Sequence, residues 1–113
     1  MVDLKLRTKQ YSLRIIQLYS TLPNSVIAQI IGKQLLRSGT SVGANYREAI
    51  RARSNAEFIS KANISLQELD ETAYWLELLR DGTKQNADLG PLMKETDEIT
   101  AIFVTMIKNA KAK

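Results

Sequence analysis

Four stretches of this chain repeat apolar residues at spacings of three and four, and strand signals are missing between them. Leu4, Tyr11, Ile15, Leu18 and Leu22 make one stripe, Ala62, Leu66, Leu69, Ala73 and Leu76 a second, and Leu92, Ile99, Phe103, Met106 and Ala110 a third. Residues three or four apart stack on one side of a helix, so each stretch reads as an amphipathic helix with one face to bury. The remaining stretch starts with Asn24 or Ser25 as its cap and turns Ile27, Ile30, Ile31 and Leu35 inward. Pro23-Asn24, Arg53-Ser54 and the run from Asp81-Gly82 to Gly90-Pro91 break the pattern into four. A length of 113 residues supports one modest core and not two. The pattern predicts an all-α protein, a single antiparallel up-and-down four-helix bundle over residues 1–113.

The chain has no cysteine and no histidine. Disulfides, thiolate chemistry and imidazole catalysis are thereby excluded, as is nearly every zinc or haem site; carboxylates, lysines and hydroxyls remain. No metal and no cofactor are expected. The N-terminus carries Asp3, Lys5, Arg7 and Lys9 without an apolar run behind them, and the longest apolar stretch, residues 101–107, is interrupted by Thr105. Neither a signal peptide nor a transmembrane span is expected, which reads as a soluble cytoplasmic protein.

The second stretch becomes small and polar at Ser38-Gly39-Thr40-Ser41-Val42-Gly43. Either Gly39 ends a helix and Asn45-x-x-Glu48 caps a new one, or one helix runs on and the two glycines let a neighbouring backbone come close. Length favours the second reading: a helix over residues 25–52 spans roughly 42 Å and one over 55–80 roughly 39 Å, a matched hairpin. The first helix, over residues 3–22, and the fourth, over 91–111, are shorter. Residues 45–53 are then expected to overhang the first helix, exposing a tip that a second subunit or a partner covers, or that the end of the fourth helix folds over.

In a hairpin turning near Arg53, position i on the second helix faces roughly 106 − i on the third, which sets Glu68 near Arg37 and Ser38, with Glu71 one turn on. Without histidine a dinuclear metal bundle is disfavoured, and a narrow bundle offers no cleft for glycoside chemistry. The carboxylates therefore read as a structural polar network of Asn45, Glu48, Lys61, Glu68 and Glu71 with Arg37 and Arg47, fixing register more than adding stability. Trp75 fills the core above the last loop or, with Tyr74 and Leu78, faces another subunit. Tyr11, Tyr19, Phe103 and Met106 read as interior.

The net charge of +4 is unevenly placed: residues 1–23 carry four bases and one acid, 24–61 six and two, 62–82 one and five, and the rest five and four. Arg47 and Arg51 share a helix face, as do Lys33 and Arg37. Arg37, Arg47, Arg51 and Arg53 are thus the candidate contacts to RNA or DNA, which a ring of subunits would multiply. A solvated basic face looks the same in sequence, and no recognition motif, phosphate loop or aromatic array accompanies it, so a scaffold or protein-interaction role stands beside the nucleic-acid one.

Pro23, Arg37-Ser38 leading into Ser41-Val-Gly-Ala-Asn45-x-x-Glu48-Ala, Phe58 with Lys61, and Ser65-x-x-Glu68-x-x-Glu71 before Trp75-Leu76 together resemble a four-helix bundle family. Its members are labelled S23 ribosomal protein or 23S rRNA intervening-sequence protein, after reading frames inside sequences that interrupt large-subunit ribosomal RNA genes. The label records a genomic location and not a place in the ribosome. The accessory variability protein of diversity-generating retroelements uses the same bundle, as a basic ring of five that works with a reverse transcriptase and nucleic acid. The resemblance implies a homo-oligomer, a pentamer by that analogy, with no established catalysis. This chain has Val42-Gly43 and Glu48-Ala49 where many members carry Ile-Pro before the asparagine and Glu-Gly after it. The alanine favours a continuous helix and weakens transfer from the retroelement branch.

Overall fold

A computed structural model describes residues 3–85 and 87–113, in which four helices follow one another: α1 Leu4–Ser20, α2 Val26–Ala49, α3 Asn55–Gly82 and α4 Gly90–Lys111. The side chains of Asp3, Ser25 and Ser54 accept from the amides of Leu6, Ala28 and Glu57, satisfying free donors at the starts of α1, α2 and α3. At α4 the start is marked instead by Pro91, and Asp88 accepts from the Gly90 amide. The helices run up and down in an all-α bundle 47 Å long and about 20 Å across. The α2–α3 hairpin is its spine, with α1 packed on α2 and α4 on α3; of the neighbouring pairs, the α1 and α4 backbones approach one another least.

The second helix is continuous through Gly39 and Gly43. Asn45 caps nothing: its Nδ2 donates 2.9 Å to the Ser41 carbonyl one turn back in the same helix. The glycines serve close approach. A Cβ on Gly39 would stand 2.8 Å from Ile15, and one on Gly32 2.6 Å from Leu22, so α1 lies where side chains would otherwise be. Consequently the inward stripe of α2 is Ala28, Gly32, Leu35, Gly39 and Val42. Ile27 and Ile30, expected inside, are 59% and 60% exposed, and Ile31 is half-buried.

The other three stripes face inward as spaced, with hydroxyls interleaved. Thr8, Ser38, Ser65, Thr72 and Thr96 are all buried. One of each helix meets in a single layer. The Tyr11 phenol of α1 lies 2.7 Å from the Thr96 hydroxyl of α4, which itself donates to the Leu92 carbonyl, so the phenol is the donor between them. Across the bundle the Thr72 hydroxyl of α3 lies 2.7 Å from the Glu68 carbonyl and 2.8 Å from the Ser38 hydroxyl of α2. Burial pushes the Tyr11 phenol well above its ordinary range, with Thr96 and Thr72 pulling weakly the other way. Tyr19 and Met106, read from sequence as interior, are half-buried at the rim.

The expected overhang at residues 45–53 is only partial, with Arg47, Ile50, Arg51 and Arg53 exposed. The α4 helix reaches as far as the α2–α3 turn, where Asn55 Nδ2 donates 2.8 Å to the Ala110 carbonyl. Tyr46 meets Phe103 edge to face at 5.6 Å, and Ala49 is 1% exposed. Lys5, at the start of α1, borders the same end. The chain's own fourth helix supplies part of the covering expected for that end. Trp75 is half-buried against the core, with its Nε1 enclosed and lacking an acceptor, and its ring lies 5.5 Å from that of Tyr74, which is exposed.

Candidate nucleic-acid interface

Helical geometry sorts the four arginines singled out by sequence. On α2, Lys33, Arg37, Thr40, Ala44 and Arg47 recur at spacings of four and three, and Arg51 continues the stripe in the turn that follows. All four cations are exposed, as is Arg53 at the top of the hairpin. Lys5 of α1 stands beside Arg47 and Arg51 around a small surface depression. The structure thus brings Arg47 and Arg51 together, adds Lys5 and Lys33 to them, and leaves Arg53 at the turn.

Arg37 is differently placed. Its guanidinium turns toward α3 and donates to Glu68 at 3.2 Å and to Glu71, and the Glu71 bond is the main reason its pKa is raised. Lys61 meets Glu48 at 3.0 Å. The carboxylates named in the sequence are therefore divided between two separate ion pairs along the α2–α3 seam, with Asn45 in neither. Ser65 adds a bond across the same seam, donating 2.8 Å to the Val42 carbonyl. None of these groups lies in a cleft.

Sequence reading missed the strongest charge contact. Arg7 of α1 grips Glu95 of α4 through two bonds of 3.0 and 2.6 Å and reaches Glu98 at 3.4 Å. That grip lowers the Glu95 pKa and closes the bundle on the side where neighbouring helices pack most loosely. No spacing rule connects residues from the first and last helices. A facing rule of the kind applied to the hairpin would have needed the α1–α4 register.

Two concavities bear on chemistry. The larger, about 690 Å³, is an open groove along α3 and α4 walled by Phe58, Ile102 and Met106, with Asn55, Thr105 and Asn109 as its polar side chains besides Lys113. The depression at Lys5, Arg47 and Arg51 also holds Glu48. Among the described residues no group of three or more acidic side chains is placed to hold a metal ion, and no helix is long and apolar enough to cross a membrane.

An all-α bundle with its glycine-lined second helix and its arginine stripe defines a class of small helical proteins, and comparison places the chain within it. Residues 3–105 match the model of the 23S rRNA-intervening sequence protein family, and the chain belongs to that family. It is similar to a crystal structure of a protein with unknown function from the S23 ribosomal protein family of Bacteroides thetaiotaomicron VPI-5482, at 41% identity and a TM-score of 0.82, over 92% of this chain and 97% of that one. No curated protein matches it.

Proposed function

We propose that the chain is a non-catalytic, self-associating bundle that binds the phosphate backbone of RNA or DNA without sequence preference, through Arg47, Arg51, Lys33 and Lys5. The observation that carries this reading is the α2 stripe. Among the described residues no carboxylate lies within ion-pairing distance of Lys5, Lys33, Arg47 or Arg51. Only Arg7, Arg37, Lys61 and Arg80 of the described residues have such a partner, so what sets the stripe apart is its spacing along one helix face and not the lack of partners alone. A stripe of cations along α2 and the turn after it, with Lys5 of α1 beside it, is suited to exchanging condensed counterions for protein charge, and it reads charge and not base identity. Arg37 contributes less, since two carboxylates already neutralise it.

The test is affinity for labelled single-stranded RNA as a function of salt. Binding is expected to weaken linearly in log–log terms. The Arg47→Ala, Arg51→Ala double variant should reduce the slope by about 1.4 per engaged chain, at roughly 0.7 per neutralised phosphate. Affinity that ignores salt, or a slope unchanged in the double variant, contradicts the assignment. A second reading, a protein-interaction scaffold, is favoured by one observation: several large apolar side chains stand exposed on two helical faces.

A further inference from the structure

The open groove along α3 and α4 takes no part in the ion pairs, and its lining changes character along its length. At one end, beside the α2–α3 turn, stand Asn55, Asn109 and Lys113. Asn55 gives one amide hydrogen to the Ala110 carbonyl and keeps the other, Asn109 brings a second amide, and Lys113 is the one charged side chain in the lining among the described residues. Toward the other end the walls are Phe58, Met106 and Ile102, all half-buried against the core, with Thr105 the one polar side chain beside them. No acidic side chain follows Glu98 in the chain, whereas Lys108, Lys111 and Lys113 do. The groove is therefore apolar over most of its length and cationic at one end.

We propose that this groove binds a single-chain apolar carboxylate, its anionic head at Lys113 and Asn109 and its tail along Phe58, Met106 and Ile102. Size is the first reason. The volume of about 690 Å³ lies within the roughly 300–1,000 Å³ that small-molecule sites occupy. From Ile102 to Lys113 the lining runs roughly 17 Å at 1.5 Å per residue, close to the about 15 Å that one acyl chain covers in half of a bilayer core. Polarity is the second. A cationic amphiphile would set its head against the Lys113 ammonium, and an uncharged chain would leave that ammonium and the amide donors without a partner, whereas a carboxylate accepts from all of them. Charge count is the third. One ammonium among neutral donors balances one negative charge, which a carboxylate carries and a phosphate monoester, at about −1.5 to −2, exceeds.

Methionine-methyl NMR of the full chain, titrated with dodecanoate below its micelle concentration, tests this. Met106 lines the groove, whereas Met93 lies near the start of the same helix beside Arg80. The Met106 methyl is expected to shift saturably while Met93 stays in place. Decanoate, two methylenes shorter, should bind several-fold more weakly, and dodecyltrimethylammonium should not saturate the site. Lys113→Glu, at an exposed position, should weaken dodecanoate by about fivefold. Ala101→Glu, exposed at the apolar end, should abolish the shift with helix content by circular dichroism and sedimentation mass unchanged. No saturable shift at Met106, equal shifts at both methionines, an ammonium head bound as tightly as the carboxylate, or Lys113→Glu binding like wild type overturns the proposal. A fall in sedimentation mass with Ala101→Glu assigns the groove to a second copy of the chain and overturns it as well. Should Ala101→Glu lose helix content, Thr105→Glu, also exposed in the lining, replaces it with the same expectation.

Discussion

Gly39 shows how much a single residue decides here. A mid-helix glycine normally costs about 0.5–1 kcal/mol relative to alanine, so Gly→Ala on its own terms should stabilise. At this position a Cβ would meet the fully buried Ile15 at 2.8 Å, and overpacking costs about 1–3 kcal/mol. Gly39→Ala is therefore expected to lower stability by about 1 kcal/mol in urea unfolding. Gly82→Ala, where a Cβ meets nothing within 4 Å, should leave stability unchanged or slightly raised, by a few tenths of a kcal/mol. Equal effects at both sites would contradict the close-approach account. The same residue explains a misplacement in the sequence reading. Periodicity gives weight to large side chains, so Ile27 and Ile30 outvote Gly32 and Gly39 for the inward face; the true inward stripe is small because another helix occupies its space. No hydropathy pattern can separate an apolar stripe aimed at the core from one aimed outward when the core-facing positions are glycines.

At the scale of elements, what was legible follows from local rules. The four helices were readable from spacing, the breaks between them from Pro23, Ser54 and Gly90-Pro91, and the nearness of Arg37 to Glu68 and Glu71 from a facing rule; the same rule set Ser38 opposite Glu68, where the structure pairs it with Thr72. What was not legible is non-local. The reach of α4 to the far turn and the clasp of Arg7 on Glu95 depend on how the two outer helices are staggered, and no adjacent residues encode that. The clasp carries a pH prediction. Its folded-state carboxylate is held below the ordinary range by Arg7, so the stabilisation is present above that range and is lost as pH falls through the lowered value. The midpoint of thermal unfolding should drop between about pH 6 and about pH 3, and Glu95→Gln should be less stable at the upper pH and lose less on acidification. Discounted for partial exposure to water, the loss at neutral pH is about 1 kcal/mol, or roughly 4–8 °C. A Glu95→Gln curve parallel to wild type across that range would remove the clasp from the account.

On the scale of the whole molecule, the two outer layers differ in kind. The α1 and α2 helices bring bases and exposed apolar residues, α3 brings acids, and the interior is a core threaded by one layer of hydroxyls that engages all four helices. That distribution leaves a cationic stripe on α2 and apolar residues exposed on α1 and α2. On the reading proposed above, repetition would give a modest charge of +4 per chain its effect, since several stripes on one assembly would engage one strand together. The most direct test is the light-scattering mass of the purified chain, with and without single-stranded RNA, at low and at high salt. The account predicts a multiple of the 12.7 kDa chain that gains RNA mass at low salt and sheds it at high salt. A single-chain mass that RNA leaves unchanged at low salt would contradict it.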